Sequence, residues 1–111
     1  MPYVMTNREL STSANIFYNL CKNGVVEKNS TVTVSNVTNG MYLLSTYQGG
    51  ANKNLTGLWY CAVTSYDVGC SAAKIVSPTV NITVTVTANT VAITNPDSTY
   101  GFGYSLTKLI W

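Results

Sequence analysis

The sequence predicts an all-β domain, an antiparallel β-sandwich or jelly roll of seven to nine short strands. Two observations carry that prediction. Apolar and polar residues alternate strictly from Val80 to Thr87, and the pattern resumes from Thr90 to Thr94, as expected when successive side chains point to opposite faces of a sheet. Turn-forming Gly, Asn, Pro and Ser recur at intervals of about ten residues, a spacing expected of short strands folded back on one another.

The strands follow in order. Ala14 to Cys21 is aromatic and branched, and Lys22-Asn23-Gly24 is expected to turn it into Val25-Val26. Thr31 to Val37 and Met41 to Tyr47 flank Asn39-Gly40, the preferred pair for a type I′ turn, so they are expected to form a hairpin. Gly57 to Ser65, Ala72 to Ser77 and Phe102 to Ile110 are further strands by composition. Ala88-Asn89 joins the two alternating segments as a second hairpin, Asn accepting a positive φ. The segment closest to a helix, Asn7 to Asn15, has too few apolar residues to bury a face.

At 111 residues and 12.0 kDa the chain fits a single β domain spanning 1–111, with 1–13 an irregular amino-terminal arm. If consecutive strands cross the whole sandwich, loop Gln48 to Thr56 and loop Asn95 to Gly101 share one end. Asn39-Gly40, Tyr66 to Ser71 and Ala88-Asn89 then share the other.

Composition narrows the function. Charged residues are 9% of the chain, against about 25% in a typical soluble protein. The six bases stand singly, which argues against a nucleic-acid partner, since phosphate binding needs clustered cations. MPYVMTNREL has no cationic stretch followed by an apolar run, and about 18 consecutive apolar residues occur nowhere, so neither a signal peptide nor membrane insertion is expected. Histidine is absent, and the acids are Glu9, Glu27, Asp67 and Asp97. Asp67 and Asp97 are expected at opposite ends, so a carboxylate pair for acid–base work is not predicted and the chain reads as no enzyme. Asp97, following Pro96, reads as a turn residue.

Cys21, Cys61 and Cys70 match no metal-binding spacing, and no metal or other cofactor is implied. They read as reduced thiols packed as small hydrophobes, with a Cys61–Cys70 bridge as the alternative. Asn29, Asn36, Asn54 and Asn81 begin N-x-S/T triplets, of which roughly three are expected by chance in so Asn- and Thr-rich a chain.

Aromatics supply the candidate binding residues. Of Trp59 and Tyr60, alternation puts one in the core. Tyr47 and Tyr100, beside the paired long loops with Asn52 and Asn54, are the candidates for ligand contact, because Tyr offers a flat apolar face with a polar edge.

The order Thr31-Val-Thr-Val-Ser, Asn39-Gly-Met-Tyr-Leu-Leu-Ser, Thr56-Gly-Leu-Trp-Tyr, Val80-Asn-Ile-Thr-Val-Thr, Val91-Ala-Ile-Thr-Asn and Tyr100-Gly-Phe-Gly-Tyr-Ser-Leu-Thr resembles the carboxy-terminal, distal domains of bacteriophage tail or head fibre proteins. The resemblance runs from Thr31 to Trp111 and lies in the succession of strands and turns. It implies a viral structural protein of the virion, made in the host cytoplasm. Such a domain is a homotrimer at a fibre's end that attaches to a host-surface glycan or protein and to other virion proteins. It brings no catalytic residues with it. Two alternatives stand beside it. One is an extracellular or cell-surface adhesin or carbohydrate-binding module from a larger secreted protein. The other is a purely structural virion decoration domain.

Overall fold

A computed structural model of the chain describes residues 21–48, 54–77 and 81–110. Among them are eight strands: β1 (Cys21–Val26), β2 (Ser30–Val34), β3 (Gly40–Gln48), β4 (Asn54–Val63), β5 (Ser71–Val76), β6 (Thr83–Thr87), β7 (Thr90–Asn95) and β8 (Phe102–Ile110). One sheet has the order β1-β8-β3-β4-β5, the other β2-β7-β6, and every pairing is antiparallel. The fold is therefore an antiparallel β-sandwich. The long-range pairs β1–β8 and β2–β7 bring the first two and last two described strands together in jelly-roll fashion, whereas β3–β4–β5 is a plain meander. The only helical turn among the described residues is a 3₁₀ turn at Asp67–Gly69.

Alternation builds the core. In β3, Tyr42, Leu44 and Thr46 face inward while Met41, Leu43, Ser45 and Tyr47 are half-buried on the outer side. Register then fixes the neighbours, because paired residues point to the same side. Leu44 lies between Trp59 and Leu106, and Tyr42 between Cys61 and Lys108. Val91 and Ile93 answer from the smaller sheet, both fully buried. Trp59 is thus the core member of the Trp59–Tyr60 pair, as alternation required.

The Ala88-Asn89 hairpin forms as expected: Thr87 pairs with Thr90, and Asn89 has φ 49°. Its first strand begins at Thr83, with Asn81 and Ile82 outside it.

Two expected turns are corrected. Lys22-Asn23-Gly24 does not turn; it lies inside β1, paired with Tyr104 to Leu106. Gly24 serves there as a floor for a ring, since a Cβ at that position would come within 2.6 Å of Tyr104 Cε1. Nor does Asn39-Gly40 close a hairpin, because β2 pairs with β7 while β3 pairs with β4 and β8. Residues 35–39 instead arch from one sheet to the other, with Asn36 at φ 56° and Val37 buried at the crossing. Burying Val37 between the sheets outweighs the local preference of Asn-Gly. The strand expected over Ala14 to Leu20, the helical candidate at Asn7 to Asn15 and the arm 1–13 lie outside the described residues.

Candidate functional site

The grouping of loops follows the expected geometry. Gln48, at the end of β3, pairs with Asn54 at the start of β4 and with Phe102 at the start of β8. The β3–β4 and β7–β8 connections therefore share one end of the sandwich. At the other end, residues 35–39, 64–70 and Ala88-Asn89 meet.

The first end is organised by Asn95, whose side chain is 1% exposed. Its amide nitrogen donates to the carbonyls of Tyr100 (2.9 Å), Glu27 (3.3 Å) and Val26 (3.4 Å), and its oxygen accepts from the Asp97 backbone N–H at 2.9 Å. One side chain thus ties the β1–β2 and β7–β8 connections to the end of β7. Asp97 completes the loop: its carboxylate accepts from Thr99 N–H at 2.8 Å and its carbonyl from Asn29 N–H at 2.9 Å. That is the turn-residue role expected of it. Tyr100, 57% exposed, is carried on this braced loop.

Tyr47 lies on the outer face of the larger sheet, half-buried, with its ring on Gly103, its strand partner. Asn54 is exposed opposite Gln48. Asn52 lies outside the described residues. Tyr47, Asn54 and Tyr100 therefore belong to one end of the domain, with Asn54 and Tyr100 exposed and Tyr47 half-buried. Asn95 escaped notice in the sequence, although its signal was there: it continues the inward parity of Val91 and Ile93, so an amide had to enter the core next to a turn.

The opposite end is braced with comparable economy. Asn89 donates through its amide to Val37 O (2.7 Å) and to Asn39 Oδ1 (2.9 Å), and its backbone N–H reaches Thr64 O at 2.9 Å. Asp67 accepts from Ala88 N–H at 2.7 Å. Two hydrophobic side chains, Tyr66 and Val68, stand out into solvent from the 3₁₀ turn.

Asp67 and Asp97 occupy opposite ends. Among the described residues no three His, Cys, Asp or Glu side chains come together as a metal site, and no helix is long and apolar enough to cross a membrane. Cys61 and Cys70 are free thiols, so the alternative bridge between them does not form. Burial pushes the Cys61 thiol from an ordinary 9.0 up to about 12, which keeps it protonated and unreactive at neutral pH. Burial likewise raises the Tyr104 phenol.

These features define the class as an antiparallel β-sandwich, with eight strands among the described residues and braced loops at both ends. No family model, no curated protein and no solved structure matches the chain.

Proposed function

We propose that the chain is a non-catalytic fibre domain of a bacteriophage virion, assembled as a homotrimer, that attaches to a host-surface glycan or protein. The observation that carries the reading is the braced loop end. Binding proteins place contact residues on loops held by a rigid scaffold, and a tyrosine fixed in advance loses little conformational freedom when a ligand arrives. Tyr100 meets that description, with Asn54 on the same end and Tyr47 on the adjoining sheet face. The resemblance of the strand and turn succession to distal fibre domains supports the same conclusion. So does the scarcity of charge, because subunits around an axis bury few unpaired ions.

The test is binding of the labelled protein to intact bacterial cells and to a glycan array. Tyr100→Ala is expected to lower binding at least tenfold while far-ultraviolet circular dichroism stays that of the parent chain. Failure to bind any cell or glycan would overturn attachment as the function. Binding kept in Tyr100→Ala but lost in Val68→Ser would move the contact surface to the opposite end.

A further inference from the structure

Four of the described strands stand at sheet edges: β1 and β5 in the larger sheet, β2 and β6 in the smaller. β1, β2 and β6 each bury a valine, Val26, Val34 and Val86. β5 has no buried residue. Only Ala72 is half-covered; Ser71, Ala73, Lys74, Ile75 and Val76 are exposed, on both faces of the strand, with Ile75 at 56% and Val76 at 43%. Among the described residues β5 pairs with β4 alone, and neither Ser71 nor Lys74 has a side-chain hydrogen bond or an ionic partner.

Such an edge presents alternate backbone N–H and C=O groups at the spacing of a strand, with no ladder partner. Only another extended backbone matches that row, so the occupant is a peptide segment and not a sugar or a lipid. Lys74 decides which segment. It is the only charged residue between Asp67 and Asp97 and lies near the middle of β5. Its pairing with the inward residue Trp59 aims it to the core side of the sheet, yet it stays exposed. A charge aimed inward on an edge strand is one way natural sheets refuse a further strand of their own kind. Two β5 strands related by a twofold axis pair residues of like parity, because paired residues share a face. Full overlap then sets the two Lys74 side chains directly opposite or diagonal on one face, where like charges repel. A carboxylate at the facing position is attracted instead.

We propose that the β5 edge is an interaction surface that accepts an extended, acidic segment of another protein as a further strand. Lys74 excludes a second copy of this chain and selects a carboxylate at the facing position. Ladder hydrogen bonds to β5 hold the segment, and exposed Ile75 and Val76 give its own branched side chains apolar surface to cover. The inference does not depend on the fibre reading or on Tyr100.

The experiment titrates the full chain with two capped peptides of alternating Thr and Val, one with Glu at its centre and one with Lys. Fluorescence anisotropy reads binding, and hydrogen exchange reads amide protection along β5. The Glu peptide is expected to bind about tenfold more tightly than the Lys peptide, the size that cross-strand attraction and repulsion together give, and to slow exchange across Ser71 to Val76. Lys74→Glu, at an exposed position, should reverse the order without changing circular dichroism. The Lys74→Thr chain should associate beyond the parent's mass in light scattering at equal concentration. Peptides that do not bind, protection that falls elsewhere in the domain, or an order of affinities that Lys74→Glu leaves as it was would each overturn the proposal. A Lys74→Thr chain of unchanged mass would overturn the exclusion of a second copy.

Discussion

Replacing Asn95 with alanine removes the brace that holds three backbone segments at the Tyr100 end. Two of its hydrogen bonds, to Tyr100 O and from Asp97 N–H, are well formed at 2.9 Å; each contributes about 1 kcal/mol net. The two longer ones, to Val26 O and Glu27 O, contribute less, but removal of the donor leaves polar atoms at a buried position without a partner, at a further cost of about 1–2 kcal/mol. The expected loss is about 2–4 kcal/mol. With a urea m-value of about 1.5 kcal/mol/M, the unfolding midpoint falls by about 1.3–2.7 M. Asn95→Asp is the sharper test because it keeps the shape and turns the donor into an acceptor facing three carbonyl oxygens. At neutral pH its charged form is costly, so the folded-state pKa of the introduced carboxyl rises above its unfolded value of about 3.9. Its deficit relative to the parent chain must therefore shrink as pH falls through the folded value, and level off below the unfolded one. Urea titrations at several pH values read both effects. A loss under about 0.5 kcal/mol for Asn95→Ala, or a pH-independent deficit for Asn95→Asp, would refute the bracing role.

Four further outcomes follow from the packing. Cys61, held protonated up to about pH 12 in the fold but ionising near 9.0 when unfolded, makes stability fall as pH rises across that window, by about 2 kcal/mol at pH 10.5; Cys61→Ala removes this contribution, as urea midpoints at pH 8 and 10.5 will show. At neutral pH the same thiol should react with a thiol reagent only at the rate of unfolding, whereas denatured chain reacts at once. Gly103→Ala drives a methyl into the Tyr47 ring and should cost about 1–3 kcal/mol, with a perturbed tyrosine signal in near-ultraviolet circular dichroism. Leu44→Ala, at a fully buried position between Trp59 and Leu106, should cost about 2–5 kcal/mol by calorimetry.

Period-two patterning made the sheets legible in advance. The β6–β7 hairpin, the span of β8 and the sharing of ends by the loops could be read from alternation and turn residues. Sheet membership could not, because a turn signal says that the chain bends and not which strand it meets next. Asn39-Gly40 is the clear case: its dipeptide favours a hairpin, but Val37 two residues earlier has no place to be buried except between the sheets, and that long-range contact decides the path. Gly24 misled for a similar reason, since its partner ring belongs to Tyr104, far along the chain. At the candidate site, exposed Tyr100 and the turn role of Asp97 were readable from local sequence. The brace at Asn95 was masked by its residue type, because an amide beside a proline suggests a surface turn until strand parity is carried one step further.

The pairing of β1 with β8 has a consequence for how the domain is made. Cys21 meets Thr107, and β8 also separates β1 from β3, so the larger sheet has a vacancy in its middle until β8 is synthesised. The β6–β7 hairpin can close locally within microseconds, whereas β1 must wait on the ribosome for a partner almost the whole chain away. Assembly of the domain is therefore a late, slow event, and a nascent chain halted before Phe102 would leave two strand edges open to pairing with a neighbour.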